Sequence, residues 1–305
     1  MAKKKISKIS YWLSLSILNS LRVFAWLPYR QGMLLGKWIG LLIMKLSPRM
    51  VKISRINIQH CFPELSPQQQ QTLIRNNFIS LGQGAIETIS AGWASEKRLR
   101  QLLLETQGLE ALQQTLANKQ GVILLFPHIM PMYFVGRMLM LKAQIPFSLM
   151  YHSPRHPGLK KFMQKNLGKR ADKVFTRKDL KGLINYVKQG HLVWYAPDLD
   201  LGKKNSLFIP FFNQPASTLT TPIKLAELTG AKTFVIDFHR CSDLSGYKVK
   251  LISLENFPSA NPEQDLRQIN QAIEQAVSNF PEQYLWQYKR FHTQPEGHSL
   301  YSIHD

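Results

Sequence analysis

Val122-Ile123-Leu124-Leu125-Phe126-Pro127-His128 is a stretch that predicts a short buried β-strand, ended by a proline and followed at once by a histidine. An unbroken run of aliphatic and β-branched residues is typical of a strand covered on both faces, and proline interrupts the run. A histidine just past a strand end is well placed to act on a ligand, because it can take a proton near neutral pH. The alternative role for a single histidine there is a structural hydrogen bond.

Strands and helices alternate after residue 120, which predicts an α/β domain with a mixed central sheet flanked by helices. The first two strands flank a helix, as in a βαβ unit, and a short polar loop joins the last two strands, which predicts an antiparallel pair at the sheet edge. The predicted strands are Val122–Phe126, Phe147–Tyr151, Leu192–Ala196, Thr233–His239 and Tyr247–Ile252. The predicted helices are Met132–Lys142, Pro157–Leu167, Lys178–Gln189, Leu219–Leu228 and Pro262–Asn279. Residues 66–119 are predicted to be helical, with helix starts at Ser66-Pro67 and Ala94-Ser95-Glu96.

The N-terminal 50 residues are more apolar than the rest of the chain. Three lysines at residues 3–5 precede an apolar stretch that ends at Leu27, and a second apolar stretch covers Met33–Leu46. The first stretch approaches the ~20 residues that cross a bilayer, although Arg22 interrupts it. We therefore expect an N-terminal membrane-anchoring or interfacial helix, with a pair of buried core helices as the alternative.

The charge of the chain favours an anionic partner. Lysine and arginine outnumber aspartate and glutamate by 39 to 19, a formal net charge of +20 at pH 7. Such a field attracts nucleic acid, acidic lipid headgroups, a phosphorylated substrate or an acidic carrier protein. The apolar N-terminal segment and the lack of a recognised nucleic-acid motif count against nucleic acid. The two cysteines, Cys61 and Cys241, lie far apart and lack zinc-binding spacing, so neither a disulfide scaffold nor a metal site is expected.

Three further patterns are candidates for function. Asp198 and Asp200 follow the strand predicted at Leu192–Ala196, in a loop that can bind a cation, orient a base or position a polar substrate. An Asx turn at the strand end is the alternative. The apolar run at residues 206–212 suits either the wall of an apolar ligand pocket or core packing. The run at residues 282–291 places Lys289 and Arg290 among four aromatic residues, a pattern typical of phosphate- or base-binding surfaces, with a solvated helix end as the alternative.

Taken in chain order, these motifs resemble those of the late acyltransferases of lipid A biosynthesis, the lauroyl/myristoyl transferase family. The resemblance covers nearly the whole chain. The motifs that carry it are Asn57 through Cys61-Phe62-Pro63-Glu64-Leu65, Glu87-Thr88 with Trp93, the strand leading to His128, Arg177–Gly182, Trp194–Gly202 with Ser206-x-Phe208-x-Pro210, and Tyr284–Gly297. The most specific is the last, Tyr284-x-Trp286-x-x-x-Arg290-Phe291-x-Thr293-x-Pro295-Glu296-Gly297.

The resemblance implies an enzyme on the cytoplasmic face of a bacterial inner membrane, with residues 1–50 as the membrane anchor and residues 51–305 as the acyltransferase domain. Such an O-acyltransferase moves a fatty acyl group from acyl carrier protein, or from acyl-CoA, to a hydroxyl of a 3-hydroxyacyl chain. The acceptor is a phosphorylated glycolipid, a lipid A precursor or a related lipid. A basic protein suits both the acidic carrier and the phosphorylated acceptor. No metal or other cofactor is expected, because the thioester already activates the acyl group.

The resemblance also implies roles for individual residues. In the family a histidine begins the motif His-x4-Asp/Glu and removes the hydroxyl proton, while the acid orients the imidazole. Here His128 begins the motif and Tyr133 stands at the acid position, so we predict both as catalytic. The groups that remain open as the orienting partner are Tyr133, Glu87, Asp198 and Asp200. The predicted substrate-binding residues are Arg137, Arg177, Lys178, Asp198, Asp200, Arg290 and Glu296.

The tyrosine at position 133 leaves three hypotheses about activity. Another group orients His128 and the enzyme is active, the protein is a weaker or differently specialised acyltransferase, or it is a catalytically impaired homologue that binds lipid or regulates lipid synthesis. Loss of an orienting acid lowers the rate by about 10⁴ in serine proteases, so the choice among the three depends on what lies beside His128.

Overall fold

A seven-stranded mixed sheet forms the centre of the fold. The computed structural model of the chain describes residues 20–146, 148–150, 161, 171–176, 179–297 and 299–301. The strands are β1 Leu103–Gln107, β2 Val122–Leu125, β3 Ser148–Met150, β4 Lys173–Phe175, β5 Leu192–Tyr195, β6 Ser206–Phe211, β7 Gln214–Leu219, β8 Lys232–Arg240 and β9 Tyr247–Ser253. The sheet order is β1-β9-β8-β2-β5-β3-β4, and β6 and β7 form a separate antiparallel hairpin.

Helices surround the sheet and fill the N-terminal part of the chain. They are α1 Tyr29–Leu46, α2 Pro48–Cys61, α3 Pro67–Trp93, α4 Glu96–Leu102, α5 Leu109–Ala117, α6 Met132–Ala143, α7 Leu180–Lys188, α8 Thr221–Thr229 and α9 Pro262–Asn279. Short 3-10 helices cover Leu21–Trp26 and Pro281–Gln283. The mixed α/β architecture predicted from the sequence is therefore confirmed.

The strand predictions are confirmed where the pattern is apolar. All four side chains of β2 are fully buried, as an unbroken apolar run predicts. The βαβ unit is present, but β5 pairs with both β2 and β3 and lies between them. The helix predicted at Pro157–Leu167 lies outside the described residues except for Lys161.

One prediction about the sheet was wrong. β8 and β9 pair antiparallel as expected, but they do not form the sheet edge, because β1 pairs parallel with the outer side of β9. The prediction of helix throughout residues 66–119 was also wrong at β1, whose pattern does not predict a strand because Glu105 and Gln107 break the apolar run. A polar, partly exposed strand of this kind is typical of a sheet edge.

The long helix α3 is the scaffold for the N-terminal part. It begins at a capping box in which Ser66 and Gln69 satisfy each other's backbone N–H groups, with Pro67 at the first position. α1 packs on α3 with backbone against backbone: a Cβ added at Gly40 would lie 1.9 Å from the carbonyl oxygen of Phe78. This close approach requires glycine and fixes which face of α1 is buried.

The opposite face of α1 is exposed and apolar. Leu34, Trp38, Leu42 and Leu46 recur at intervals of four residues, and their exposed fractions are 55–69%. None of the helices in the described ranges is long and apolar enough to cross a membrane. Most of the first apolar stretch of the sequence precedes residue 20 and so lies outside the described residues.

The C-terminal residues 280–297, here called the C-terminal strap, have little regular structure but lie against the domain core. Two buried asparagines hold the strap by its carbonyl oxygens: Asn57 donates to Trp286 and Tyr288, and Asn77 donates to Glu282 and Tyr284, at 2.7–2.9 Å. The strap thereby reaches the carboxyl ends of the central strands.

Candidate active site

Two neighbouring strands end in the same way at the carboxyl edge of the sheet. β2 and β5 pair in parallel with Leu125 opposite Tyr195, and each strand is followed by one residue, a proline and a polar residue. The polar residue is His128 after β2 and Asp198 after β5. Because the strands are in register, equal spacing brings these two side chains together.

Asp198 binds His128 through both carboxylate oxygens. Its Oδ1 lies 2.7 Å from the Nδ1 of His128, and its Oδ2 accepts the backbone N–H of His128 at 2.8 Å. Since an ionised carboxylate can only accept hydrogen bonds, Nδ1 carries the proton in this arrangement. The other ring nitrogen, Nε2, has no hydrogen-bond partner among the described residues.

The surroundings of the two groups are unequal. The side chain of Asp198 is buried, whereas 22% of the His128 side chain is exposed. Burial lowers the pKa of the imidazole, but the charge of Asp198 and its hydrogen bond outweigh burial, so the pKa of His128 lies above its ordinary 6.5. Burial raises the pKa of Asp198, but the charge and hydrogen bonds of His128 outweigh it, so the pKa lies below 3.8.

The C-terminal strap completes the surroundings of Asp198. The hydroxyl of Tyr284 donates to Asp198 Oδ2 at 3.1 Å. The strap backbone also pairs with the residues around His128, through an antiparallel bridge between Ile129 and Tyr284. A segment some 150 residues from His128 in sequence thus borders the site. The motif that begins at Tyr284 stands out in the sequence, but its contact with Asp198 is not predicted from it.

Asp200 lies near Asp198 in sequence but has a different environment. Its Oδ1 accepts the N–H of Gly202 at 3.0 Å, an Asx turn, and its Oδ2 accepts the N–H of Thr293 at 2.6 Å. Its carbonyl oxygen accepts the hydroxyl of Tyr288 at 2.5 Å. Asp200 therefore joins its loop to the strap, and these contacts do not bring it to His128.

Glu87 was a candidate for orienting His128, but the structure pairs it elsewhere. Its Oε1 accepts the guanidinium of Arg240 at 2.6 Å and the hydroxyl of Tyr247 at 2.5 Å. Arg240 also donates to Ser80 Oγ at 2.7 Å. All of these groups are buried, so the carboxylate links α3 to the ends of β8 and β9.

Tyr133 occupies the first turn of α6 and packs against the hydrophobic core, partly exposed. Its predicted catalytic role stays a prediction. The carboxylate that contacts the imidazole in the structure is that of Asp198, one of the four groups named above as a possible orienting partner.

Two of the predicted substrate-binding cations, Arg290 and Arg137, donate hydrogen bonds to groups within the protein. Arg290 is 2% exposed and donates to the carbonyl oxygen of Ser217 at 2.7 Å and to Thr218 Oγ1 at 3.1 Å. It therefore fastens the strap to β7 and is not presented to an acceptor phosphate. Arg137 donates to the carbonyl oxygen of Ala91 at 2.6 Å.

Three other predicted positions give less information. Glu296 is exposed on the strap. Arg177 and Lys178 lie outside the described residues. Within the ranges that the structure covers, no group of three or more histidine, cysteine, aspartate or glutamate side chains is arranged to hold a metal ion.

The apolar run at residues 206–212 forms β6 and its turn, with Ile209 and Phe211 buried and the other side chains partly exposed. Phe211 is fully buried, with its ring 5.9 Å from that of Tyr284 and 6.3 Å from that of Phe291. The two buried side chains favour core packing over a pocket wall, and Phe211 joins the hairpin to the strap.

One signal in the sequence identifies the partner of His128. Pro127-His128 and Pro197-Asp198 each stand one residue beyond a strand, and the structure pairs the two strands in parallel. The matching spacing implies that the two polar side chains meet. The contact from Tyr284 has no such signal, because nothing local ties the strap to a strand end.

Comparison with known proteins places the chain in a family. A family model described as bacterial lipid A biosynthesis acyltransferase matches residues 1–293. The lipid A biosynthesis palmitoleoyltransferase of Escherichia coli (strain K12) is 32% identical over 292 residues, 95% of this chain and 94% of that protein. The lipid A biosynthesis lauroyltransferase of the same bacterium is 33% identical over 290 residues, 94% of each chain. The lipid A biosynthesis myristoyltransferase of that bacterium is 25% identical over 246 residues, 79% of this chain and 75% of that protein. The chain therefore belongs to the bacterial lipid A biosynthesis acyltransferase family and is, by homology, an acyltransferase.

Proposed function

We propose that this protein transfers a fatty acyl group from a thioester donor, acyl carrier protein or acyl-CoA, to a hydroxyl of a 3-hydroxyacyl chain on a lipid A precursor or a related lipid. Family membership supports the class of reaction and acceptor. The observation that carries the chemistry is the 2.7 Å contact between His128 and Asp198, with Nε2 of the imidazole left without a partner among the described residues.

His128 is the general base in this proposal. The acceptor hydroxyl donates a hydrogen bond to Nε2, and its proton passes to that nitrogen as the oxygen attacks the thioester carbonyl. A C–O bond forms and the carbonyl becomes a tetrahedral oxyanion. The oxyanion then collapses, the C–S bond breaks, and the thiolate takes the proton from the imidazolium. The acyl ester and a free thiol are the products, and His128 returns to its neutral state.

Asp198 orients the base. Its Oδ1 keeps the proton on Nδ1, so that the lone pair of Nε2 faces the substrate, and its negative charge stabilises the imidazolium during the reaction. The side chain is buried, so water does not screen this charge. Asp198 thus takes the role that an acid at position 133 has in the family motif.

The exposed face of α1 is the proposed membrane contact, on the cytoplasmic side of the bacterial inner membrane. Its apolar stripe of Leu34, Trp38, Leu42 and Leu46 is flanked by Lys37 and Lys45, and α1 contains no acidic residue. Apolar and tryptophan side chains bordered by lysines suit a helix that lies in the headgroup region of an acidic leaflet. A lipid acceptor would then be presented to the enzyme from the same surface.

Acyl transfer by the purified full-length protein in detergent tests the reaction. The assay supplies acyl carrier proteins with different acyl chains, acyl-CoA, and lipid A precursors with free 3-hydroxyacyl groups, and mass spectrometry detects the added acyl mass. We expect transfer by the unmodified protein, and a loss of about 10³-fold or more with His128→Ala. The matched control is His191→Gln, a histidine at the opposite end of β5. Absence of transfer by the unmodified protein to every acceptor, or full activity of His128→Ala, would refute the proposal and favour a lipid-binding role.

Vesicle flotation tests the membrane face separately. Vesicles rich in anionic phospholipid should bind the full-length protein, and Trp38→Glu together with Leu42→Glu should weaken binding by about tenfold or more. Leu228→Glu, on α8, is the control because Leu228 is comparably exposed but lies outside the stripe. Equal binding by all three proteins would show that α1 is not the contact.

A further inference from the structure

We propose that Tyr284 is a positioning residue for His128 and Asp198: its hydroxyl fixes the rotation of the Asp198 carboxylate, and through it the direction in which His128 presents Nε2. The effect on rate rests on the proposed function, whereas the effect on the state of the imidazole does not.

The two carboxylate oxygens of Asp198 accept hydrogen bonds from different donors. Oδ1 receives the ring Nδ1 of His128 at 2.7 Å. Oδ2 receives two donors, the backbone N–H of His128 at 2.8 Å and the hydroxyl of Tyr284 at 3.1 Å. With Oδ2 held from two directions, the carboxylate cannot turn about its Cβ–Cγ bond without breaking a buried hydrogen bond.

Tyr284 is itself held at this place by its backbone. Its carbonyl oxygen accepts a hydrogen bond from Asn77 at 2.7 Å. The strap residues on each side of Tyr284 pair with the backbone at residues 128–130. The N–H of Met130 donates to the carbonyl oxygen of Gln283 at 2.7 Å, and the N–H of Leu285 donates to the carbonyl oxygen of His128 at 3.1 Å. One segment therefore holds both the backbone around His128 and the carboxylate that contacts its ring.

The hydroxyl also adjusts the charge that His128 experiences. Burial, and then the charge of Asp198, raise the pKa of Tyr284 well above its ordinary 10, so it remains a hydrogen-bond donor over the working pH range. A donor on Oδ2 draws electron density away from Oδ1 and weakens the attraction between the carboxylate and the imidazolium. Among the described residues, Arg290 acts on both Asp198 and Tyr284, Cys61 acts on Tyr284, and Asp198 itself acts on Tyr288.

Tyr284→Phe in the full-length protein is the test, with two measurements. The first is the NMR titration of the His128 ring, assigned by its loss in His128→Gln. The second is the pH profile of acyl transfer. We expect the His128 titration and the acid limb of kcat/KM to move to higher pH, and kcat to fall about tenfold with KM unchanged, as for the loss of one hydrogen bond to a charged group. A fluorinated tyrosine at position 284 donates more strongly and should move the titration to lower pH.

Tyr301→Phe is the matched control. Tyr301 is another buried tyrosine that contacts the strap. Its hydroxyl donates to Asn57 Oδ1 and accepts the backbone N–H of Phe291. It should lose a similar amount of stability without moving the His128 titration. An unmoved titration in Tyr284→Phe, or the same shift in Tyr301→Phe, would overturn the assignment. If the unmodified protein proves inactive, the titration still decides the role of Tyr284, so the two proposals fail separately.

Discussion

Asp198 and Glu87 are two buried carboxylates with similar kinds of hydrogen-bond partner. Each lies against a basic group, His128 or Arg240, and each accepts the hydroxyl of a buried tyrosine, Tyr284 or Tyr247. Their basic partners differ in exposure: 22% of the His128 side chain is exposed, but only 4% of the Arg240 side chain.

This difference separates a chemical site from a structural one. An imidazole exchanges a proton near neutral pH, and a guanidinium does not. The pair of Asp198 and His128 can therefore act on a bound hydroxyl, while Glu87 and Arg240 join α3 to β8. A carboxylate becomes useful for catalysis here through the partner that it holds and through the access of that partner to substrate.

The largest effect should come from Asp198→Asn. The amide can donate to the imidazole and favour the wrong tautomer, so kcat should fall about 10³-fold, within the range known for histidine–aspartate pairs. Acyl-transfer kinetics measure this, and circular dichroism checks that the nearly isosteric variant is folded. A kcat within tenfold of the unmodified protein would remove the distinction between the two carboxylates.

Glu87→Gln should affect stability rather than rate. It leaves Arg240 buried without its counter-charge, which should lower the free energy of unfolding by about 3 kcal/mol. The kcat of the folded fraction should stay within about threefold. Denaturant unfolding and active-site-normalised kinetics give the two values. Combining Glu87→Gln with Arg240→Met should recover part of the stability, and a large loss of kcat in Glu87→Gln alone would contradict the structural role.

The pH dependence sharpens the contrast further. Because Asp198 raises the pKa of His128 against the effect of burial, kcat/KM should increase with pH and reach its plateau above 6.5. Asp198→Asn removes the charge that favours the imidazolium, so the acid limb should move to lower pH while the plateau falls. Glu87→Gln should leave the acid limb of the kcat/KM profile at the same pH. A limb that stays fixed in Asp198→Asn would show that another group sets it.

The smallest effect is expected from Tyr133→Phe. If Asp198 orients His128, the tyrosine hydroxyl at the family's acid position is not required, and kcat should change by less than about threefold. The same assay as for Asp198→Asn measures it. A loss of a hundredfold would restore Tyr133 to the catalytic role that the sequence predicts.

The strands that build the site are visible in the sequence because they are unbroken apolar runs. β2 and β5 are predicted for that reason, and the histidine beyond β2 stands out at once. The edge strand β1 is not predictable in this way, since polar residues interrupt it. Local pattern therefore finds the buried centre of the sheet and misses its edge.

The partners of His128 depend on contacts that are distant in the chain. Asp198 can be inferred from the matching proline spacing only after the two strands are known to be neighbours. Arg290 lies in a run of aromatic and cationic residues that suits a surface equally well, and its burial follows from the hydrogen bonds to β7, more than 70 residues away. Tyr284 reaches Asp198 in the same way.

The most direct test is the protonation of the His128 ring nitrogens, measured by ¹⁵N NMR on histidine-labelled protein above the pKa of the imidazole. We expect a neutral ring with its proton on Nδ1, held by Asp198, and a bare Nε2. Asp198→Asn should abolish this state. A proton on Nε2 in the unmodified protein would rule out His128 as the base in this geometry, because the nitrogen assigned to receive the acceptor's proton would already be occupied.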